Sequence, residues 1–435
     1  MTYPAYSEYK DSGVELLGNI PERWSIRRLK YLTNEPLAYG ANEAALDEDK
    51  NWPRFVRITD VRQDGTLRPE TFKSLAPEIA KPYMLKQGDV LFARSGGTVG
   101  KSFIYNSEWG AACFAGYLIR FRSNQSLVLS DFINYFSQSV PYWQQVRMGT
   151  IQATIQNFSA EKYGGLVTSL PPLNEQKLIT TFLDDETKNI NCLIEKQQQL
   201  LKLLQEKRQA VISHAVTKGL NNDAKMKDSG VDWLGDIPEH WETRRIKNLF
   251  EIRKRISGEL GHDVLSITQQ GVRIKDIESG EGQLSMDYSK YQIVKTGDFA
   301  MNHMDLLTGW VDISKYDGVT SPDYRVFSLT DNKSYADYYL YVLQMGYNEK
   351  IFYAFGQGSS HLGRWRFPAE NFKTFIFPYP PQEEQIAISN YIKSEHDKIA
   401  RLIEKCSDAI ELLNERRTAL ISAAVTGKID VRNAA

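Results

Sequence analysis

Apolar side chains recur every three or four residues in two long stretches of the chain, a spacing typical of amphipathic helices. Each stretch covers about three heptads. The seam positions are Ile190, Leu193, Gln197, Leu200, Leu204, Lys207 and Val211, and then Ile399, Leu402, Cys406, Ala409, Leu413, Arg416 and Leu420. One such stripe alone could pack on any neighbour. Two matched stripes predict that the helices pack on each other, with the polar seam residues fixing their register.

The segments before each stripe have the short apolar runs of β-strands. The predicted strands lie at 90–93, 102–105, 117–121, 297–301 and 324–327. Short helices are predicted at 130–138 and 335–344. Each segment therefore predicts a compact α+β domain of about 150 residues.

The chain also repeats itself. The segment Asp11–Trp24 returns as Asp228–Trp241, and Pro171–Gln176 returns as Pro380–Gln385. A long internal repeat indicates two copies of one structural unit. The stretch between the two landmarks is eight residues shorter in the second copy. Constant ends around a variable middle predict a fixed scaffold that carries two different recognition heads.

Composition and charge narrow the class of protein. The 435 residues are 42% hydrophobic and 25% charged, as in globular proteins with apolar cores. Cys113, Cys192 and Cys406 show neither metal-ligand nor disulfide spacing, which fits a reducing cytosol. We find no signal peptide and no apolar run long enough to cross a membrane, so we expect a cytoplasmic protein. The formal net charge of −1 argues against a free-standing DNA-binding protein, but it allows a basic patch or a partner that contacts phosphates.

Motifs that suggest catalysis fail on inspection. Gly96–Ser102 resembles a phosphate-binding loop, but Ser95 stands where the first glycine is required, and a strand is predicted after it instead of a helix. Asp323 and Asp331 imitate a nuclease carboxylate pair but fit a solvated loop better. Neither double proline belongs to a methyltransferase tetrapeptide, and the histidines lack ligand spacing. Because no nucleophile, base and orienting acid assemble, we expect a recognition protein whose partners perform the chemistry.

The segment Met226–Trp241 closely resembles the linker of specificity subunits of Type I restriction-modification systems. The Pro-Pro-x-x-Glu-Gln entry into each long helix and the ending Ile421–Arg432 resemble the same family, over essentially the whole chain. The resemblance implies binding to double-stranded DNA, with two methyltransferase (M) subunits and translocating restriction (R) subunits as partners, and no membrane. It implies no cofactor on this chain, S-adenosylmethionine in the M subunits, and ATP and Mg in the R subunits.

The resemblance also implies an α+β fold in which two long antiparallel coiled-coil helices separate two pseudo-symmetric target-recognition domains. The predicted segments are the first target-recognition domain, the first spacer helix, the linker with the second target-recognition domain, and the second spacer helix with the tail, at 1–170, 171–220, 221–379 and 380–435. Each domain is expected to read one half of an asymmetric, bipartite site. Spacer helices of this length would let both domains meet one face of B-DNA about one turn, roughly 34 Å, apart.

Candidate DNA-contacting residues are polar side chains on predicted loops, because Arg suits guanine and Asn or Gln suits adenine. In the first head they are Arg94, Ser95, Thr98, Lys101, Thr150, Gln152, Thr154 and Gln156. In the second head they are Asn302, His303, Thr308, Gln357, Ser359, His361 and Arg364. Each could instead be a solvated turn residue, and Arg120 and Arg325, on predicted strands, could be structural.

Two other classes of function remain open at this point. One is a coiled-coil adaptor that binds no nucleic acid, and the other is a nuclease or NTPase, which rests only on the failed motifs. Salt-dependent, sequence-selective DNA binding in the presence of an M subunit separates a specificity subunit from an adaptor.

Overall fold

The computed structural model describes residues 3–62, 65–150, 157–276, 288–358 and 365–433. The chain divides into two compact units, one formed by residues 1–198 with 408–435 and the other by residues 199–407. The boundaries between the units cut across both long helices. Each unit therefore contains one head and a part of each helix.

The first head consists of short strands and short helices, and one long helix follows it. In chain order these are β1 (Tyr9–Asp11), β2 (Asn19–Pro21), β3 (Ser25–Arg28), β4 (Ala38–Tyr39), β5 (Arg54–Val56), α1 (Pro77–Ala80), β6 (Val90–Ala93), β7 (Ser102–Ile104), β8 (Ala112–Phe114), β9 (Leu118–Phe121), α2 (Ser130–Phe136), α3 (Val140–Thr150), α4 (Ala160–Gly165), β10 (Val167–Leu170) and α5 (Leu173–Lys218).

The second copy has the same plan. In chain order its elements are β11 (Met226–Asp228), β12 (Asp236–Pro238), β13 (Glu242–Arg245), β14 (Phe250–Arg253), β15 (Leu265–Thr268), β16 (Gly271–Ile274), β17 (Gln292–Val294), β18 (Phe299–Met301), β19 (Val311–Ile313), β20 (Gly318–Thr320), β21 (Arg325–Leu329), α6 (Ala336–Asn348), α7 (Ile351–Ala354), α8 (Ala369–Thr374), β22 (Ile376–Tyr379) and α9 (Gln382–Val425). The predicted strands are confirmed to within two residues at each end.

A four-stranded antiparallel sheet lies at the centre of each head. The strand order is β4-β9-β6-β7 in the first head and β14-β21-β18-β19 in the second. The registers correspond, because Val90 faces Phe121 in the first sheet and Phe299 faces Phe327 in the second. The predicted α+β class and the internal duplication are confirmed at the level of strand order.

The repeated Ile-Pro-Glu-x-Trp segment forms part of a β-hairpin that covers the end of a long helix. β1 pairs with β2, and β11 pairs with β12. Trp24 is buried against Gly427, which comes after α9, and Trp241 is buried against Gly219, which comes after α5. Both glycines have positive φ, 72° and 79°, which ends the helix at little steric cost.

The repeated Pro-Pro-x-x-Glu-Gln segment is also structural. Gln176, in the first turn of α5, is fully buried. Its Nε2 donates to the carbonyls of Leu127 and Pro171 at 3.1 and 2.8 Å, and its Oε1 accepts from the Leu129 N–H at 2.8 Å. Gln385 makes the equivalent bonds in the second copy. Each glutamine ties the start of a long helix to the loop that precedes α2 or α6.

The long helices start earlier than the apolar stripes predict. α5 has 46 residues and α9 has 44, against roughly 30 expected from three heptads with flanking turns. Ile179 and Leu183, in the first turns of α5, are fully buried in the core of the first head. This part of the helix packs on its own head, so it does not carry the heptad pattern of a helix pair.

Within the first unit the two helices run antiparallel, as predicted. Arg416 of α9 lies 3.8 Å from Glu186 of α5. Further along α9, the Val425 carbonyl accepts a hydrogen bond from Ser169, which precedes α5, at 2.6 Å. The later residue of α9 therefore meets the earlier part of the first copy. In the second unit, Leu204 packs in one cluster with Ile399 and Cys406.

The predicted seam is wrong at several positions. Leu193, Leu200 and Leu402 are 47%, 42% and 47% exposed, and Lys207 and Arg416 are exposed as well. The helix contacts are made by the predicted seam positions Leu204, Ile399, Cys406 and Leu413, together with the neighbours Ile194, Leu201 and Ile403. The spacing of three and four residues was predicted correctly. Because adjacent positions are both apolar in several turns, the pattern did not determine which of the two faces the other helix. Leu193, Leu200 and Leu402 are therefore accessible to a partner protein.

Candidate nucleic-acid interface

Polar and aromatic side chains gather at one end of the sheet in the first head. β6 ends immediately before Arg94, β9 begins immediately after Tyr117, and β4 ends at Tyr39. Because β4, β9 and β6 pair antiparallel in that order, these three strand ends lie side by side. We call Tyr39, residues 94–101 and Tyr117 the first sheet end.

The side chain of Arg94 is held in place at the first sheet end. Its guanidinium carbon lies 4.7 Å from the centroid of the Tyr39 ring, a cation–π contact. Its Nη1 donates to the Gly116 carbonyl and its Nε to Asn157 Oδ1, both at the long distance of 3.4 Å. The Arg94 carbonyl accepts from the Phe158 N–H at 2.8 Å. The side chain is half-buried, so part of the guanidinium faces solvent in a fixed orientation.

The predicted residues Ser95, Thr98 and Lys101 lie on a tight turn. Thr98 Oγ1 donates to the Ser95 carbonyl at 3.2 Å. The Tyr163 hydroxyl accepts from the Gly100 N–H at 3.0 Å and fixes the turn to the core. The turn includes a single 3-10 turn at Gly96–Thr98, and strand β7 comes directly after it in the place where a P-loop has an α-helix. Lys101 is exposed.

The other predicted set in the first head begins at Thr150, the last residue of α3. Its Oγ1 donates to the carbonyls of residues 146 and 147, at 3.1 and 2.8 Å, so this hydroxyl is used within the helix. Three members of the set lie outside the described residues, namely Gln152, Thr154 and Gln156. The chain is described again from Asn157, which pairs with Ser95. Asn157 therefore lies at the first sheet end.

The second head has an equivalent sheet end. β18 ends immediately before Asn302 and His303. The Phe367 N–H donates to the His303 carbonyl at 2.8 Å, as the Phe158 N–H does to the carbonyl of Arg94. His303 therefore occupies the position that Arg94 has in the first head. We call Asn302, His303 and Thr308 the second sheet end.

Several predicted side chains of the second head have local partners. Asn302 Oδ1 accepts from the Met304 N–H at 3.2 Å, and the Thr308 hydroxyl donates to the Asp305 carboxylate. Gln357 is exposed, and its backbone pairs with that of Arg366. The remaining predicted residues lie outside the described part of the chain, namely Ser359, His361 and Arg364.

His303 is half-buried beside cations. Burial, with the charges of Arg325 and Arg366, lowers the pKa of His303 to about 3, so the ring is neutral at pH 7. Its Nδ1 has no hydrogen-bond partner within the described chain. Arg325 is 5% exposed and donates from Nη2 to the Phe367 carbonyl at 2.9 Å, and burial lowers its pKa to about 10. Arg325 is thus a core residue, one of the two alternatives that the sequence left open.

Sequence reasoning missed two residues of the first sheet end. Tyr39 and Tyr117 are 41% and 66% exposed, and neither was among the predicted DNA-contacting residues. The signal that could have found Tyr117 is its place as the first residue of a predicted strand, directly after Gly116. For Tyr39 the sequence offers no comparable signal, because β4 is only two residues long.

Exposed leucines recur at corresponding positions of the two long helices. Leu193 and Leu402 are both 47% exposed, and Leu203 and Leu412 are 59% and 64% exposed. The first unit thus presents Leu193 and Leu412, and the second unit presents Leu203 and Leu402. Exposed apolar groups that repeat in this way are candidates for a protein interface.

The described residues show neither a metal cluster nor a membrane-spanning helix. No group of three or more His, Cys, Asp or Glu side chains among them could hold a metal ion. None of their helices is both long enough and apolar enough to cross a membrane.

Comparison with known proteins gives a consistent picture. The family profile described as Type I restriction modification DNA specificity domain matches twice, at residues 24–203 and 238–412. The chain is 23% identical, over 95% of both chains, to the Type I restriction enzyme MjaVIII specificity subunit of Methanocaldococcus jannaschii. It is also 23% identical to the EcoKI specificity subunit of Escherichia coli K12, over 69% of this chain and 63% of that relative.

A solved chain from work on complex assembly and conformational transition of the type I R-M system has the same fold. It superposes with a TM-score of 0.69 at 14% identity, over 93% of this chain and 98% of the other. The two profile matches cover more than half of the sequence and fall on its two copies. Members of this family recognise DNA and do not themselves catalyse, and in general they need no cofactor of their own. The chain therefore belongs to the family of Type I restriction-modification DNA specificity subunits.

Proposed function

We propose that each head reads one half of a bipartite, asymmetric DNA site with side chains at its sheet end. The observation that carries the proposal is that two equivalent sheet ends hold different side chains, with Arg94 in one where His303 stands in the other. A repeated scaffold with different polar groups presents different donors and acceptors to base edges. We therefore expect two unlike half-sites.

The proposed DNA contacts are the exposed or half-buried polar residues of these surfaces. Within the described chain they are Arg94, Ser95, Thr98, Lys101, Asn302 and Gln357. Thr150, His303 and Thr308 are proposed as weaker contributors, because their side chains are buried or bonded locally. For six further positions the proposal rests on the sequence alone, namely Gln152, Thr154, Gln156, Ser359, His361 and Arg364.

We propose the same functional division of the chain as the sequence predicts. Residues 1–170 and 221–379 hold the two target-recognition domains, and residues 171–220 and 380–435 hold the spacer helices. The bounds of α5 and α9 support this division. The compact units group these segments differently, because each unit combines one head with parts of both helices.

Sequence-selective binding to duplex DNA tests the recognition proposal. The chain mixed with its M subunit should bind the methylated target of its host far more tightly than an unrelated duplex, with log K falling linearly against log salt concentration. Exchange of residues 242–379 for the second head of another family member should alter one half of the target only. Equal affinity for all duplexes would favour the adaptor instead.

We propose that the helices set the gap between the half-sites. Four residues inserted between Leu193 and Val211 lengthen α5 by about 6 Å and rotate the remainder of the helix by about 40° beyond a full turn. One base pair of B-DNA advances about 3.4 Å. The insertion should therefore widen the unread gap by one or two base pairs and leave both half-sites unchanged, as methylome sequencing would reveal. An unchanged gap would exclude the helices as the ruler.

We propose that two M subunits dock on the helices, one on each unit. The support is the repeated pair of exposed leucines, Leu193 with Leu412 in one unit and Leu203 with Leu402 in the other. Apolar side chains of this exposure contribute binding energy when a partner covers them. Because the surface occurs twice, the proposed complex contains two M chains for one specificity chain.

Charge substitutions on the helices test the docking proposal. In native mass spectrometry, Leu193→Asp with Leu412→Asp should reduce the complex from two M chains to one. The same change at Leu46, which is 78% exposed on the first head, is the matched control and should leave two M chains bound. Two bound M chains in the double variant would show that the leucines are not the docking surface.

The chemistry of the system is proposed to reside in the partners. S-adenosylmethionine would bind to the M subunits, and ATP and Mg to R subunits that join the complex in the cytoplasm. The purified chain alone should neither methylate nor cut its target duplex. Methyl transfer from S-adenosylmethionine by the chain alone would overturn this assignment.

A further inference from the structure

Arg94 is the one basic side chain of the first sheet end that the structure fixes in orientation. Its guanidinium carbon lies over the Tyr39 ring, 4.7 Å from the ring centroid. The Tyr39 hydroxyl is itself anchored, since it accepts from the Ala160 N–H at 3.0 Å. Lys101, by contrast, extends from the same turn without a side-chain partner among the described residues.

The backbone around Arg94 is also fixed. A Cβ on Gly40 would lie 2.2 and 2.3 Å from the carbonyl oxygens of Phe114 and Ala115, so only glycine allows the chain after Tyr39 to approach this closely. This close approach brings the Gly116 carbonyl beside the Arg94 guanidinium. The ring and the carbonyl therefore belong to one rigid frame.

The bonds that Arg94 makes leave donors free. Its contacts to Asn157 and Gly116 are both 3.4 Å long, near the limit of a hydrogen bond, and Nη2 donates to no described residue. A planar fork with free donors, restrained by an aromatic ring and two long hydrogen bonds, suits bidentate recognition. In DNA the matching pair of acceptors is O6 and N7 of guanine in the major groove.

We infer that Arg94 reads a guanine in the first half-site and that Tyr39 is the positioning residue that orients it. The inference rests on the proposed function. It adds the identity of the base, guanine, and the residue that positions Arg94, which is Tyr39. A phosphate contact would need charge but no fixed plane, so the stacked and anchored arrangement favours a base edge.

The second head lacks this device. His303 stands in the position of Arg94 and is neutral, and the residue at the strand position of Tyr39, by the registers of β14 and β21, is Lys254. Arg325 lies over the Phe372 ring at 4.6 Å, but it is only 5% exposed, so this cation is not available to a base edge. The second half-site is therefore read without an equivalent guanine contact.

Binding of the complex of this chain with its M subunits to modified duplexes tests the inference. The probe is the wild-type target in which each guanine of the first half-site is replaced in turn by 7-deazaguanine, which lacks N7. At one guanine the replacement should weaken wild-type binding about 5- to 150-fold. Arg94→Ala should weaken binding to the unmodified duplex similarly, and the two changes together should cost no more than either alone.

Variants at Tyr39 separate positioning from fold stability. Tyr39→Phe retains the ring and should retain the selectivity for guanine, whereas Tyr39→Leu should lose it. Tyr31→Leu is the matched control, because Tyr31 is 61% exposed and also lies under a cation, Lys30 at 5.1 Å, away from the first sheet end. If Tyr39→Leu does not fold, Arg94→Lys decides, since lysine keeps the charge but not the fork and should lose the selectivity.

Three results would overturn the inference. One is a first half-site without guanine, and another is an Arg94→Ala variant whose affinity falls by the same factor for the target and for unrelated duplexes, with a shallower salt dependence, which marks a phosphate contact. Full selectivity in Tyr39→Leu would remove the positioning role. In each case sequence-selective binding would persist, so the proposed function would stand. Loss of selective binding by the wild-type complex would instead refute the proposed function itself.

Discussion

At the residue scale, the two copies form the same aspartate–arginine ion pair with arginines from different positions. Asp89 and Asp298 occupy the same turn before the central strand, and each pairs with an arginine. Asp89 accepts from Arg122, which comes directly after β9, at 2.7 Å, whereas Asp298 accepts from Arg255, which comes after β14. The turn keeps its ion pair although the arginine has moved in the sequence. The aspartate therefore keeps its role in both copies, whereas the arginine that pairs with it comes from a different position in each.

His396 should make the second unit sensitive to mild acid. Burial, and then the charge of Arg208, lowers the pKa of His396 to about 4, below the ordinary value of 6.5. The unfolded chain thus binds more protons between those two pH values, so the free energy of unfolding falls as pH decreases from 6.5 towards 4. We expect His396→Phe to reduce this loss, measured by urea unfolding at pH 7 and pH 5.

The substitution suits the test because Phe keeps the edge contact of the His396 ring with Tyr341, at 5.9 Å between centroids. It also removes a buried Nε2 that has no partner within the described chain. His214→Phe is the control, since His214 is exposed on α5. An equal loss of stability in acid for wild type and His396→Phe would contradict the prediction.

At the element scale, each long helix is divided between two kinds of contact. The first turns of α5 bury Ile179 in the head that precedes them, and the later turns bury Leu204 in a cluster with residues of α9. The buried Gln176 connects the helix to the head by three hydrogen bonds to backbone groups. These backbone groups lie in loops and have no partner in a helix or a sheet, so the Gln176 side chain provides their hydrogen bonds.

Gln176→Ala should destabilise the first unit strongly. It leaves the Leu129 N–H and the carbonyls of Leu127 and Pro171 buried without this partner, which costs about 2–4 kcal/mol. Chemical denaturation followed by tryptophan fluorescence measures the change. Gln198→Ala, on an exposed part of the same helix, is the control and should change the free energy of unfolding by less than about 0.5 kcal/mol. A small effect at Gln176 would mean that water satisfies these groups.

At the scale of the whole molecule, the beginning and the end of the sequence meet in the first unit. The Asp430 N–H donates to the Pro4 carbonyl at 2.7 Å, and Lys428 Nζ donates to the Asn19 carbonyl at 2.7 Å. The N-terminal hairpin thus covers the end of α9. The hairpin of β11 and β12 covers the end of α5 in the same way, but there the chain is continuous.

A circular permutant should therefore fold. We expect the chain opened after Leu220, with Ala435 joined directly to Met1, to keep its melting temperature within a few degrees and to bind the same DNA site, because Pro4 and Asp430 already form a hydrogen bond. Leu220 and residues 221–223 form an exposed connection. A permutant opened after Gln198, inside α5, is the control and should lose stability. Loss of folding in both permutants would mean that the order of the copies matters.

The sequence by itself determined the duplication, the α+β class, the presence of two long helices and the family. These features rest on local patterns, namely repeated motifs, alternating apolar positions and turn residues, which need no knowledge of distant contacts. The strands around 90–93 and 117–121 were predictable for the same reason, because burial on both faces makes them apolar runs.

Only the tertiary structure decided the phase of the helix seam and the members of the sheet ends. Ile194 and Leu193 are both apolar, so the helix pattern could not choose between them until the partner helix buried one and left the other exposed. Tyr39 and Arg94 are 55 residues apart in the sequence and meet only because β4 and β6 both pair with β9. Contacts between distant segments depend on strand order and register, and the local alternation of apolar residues does not encode either.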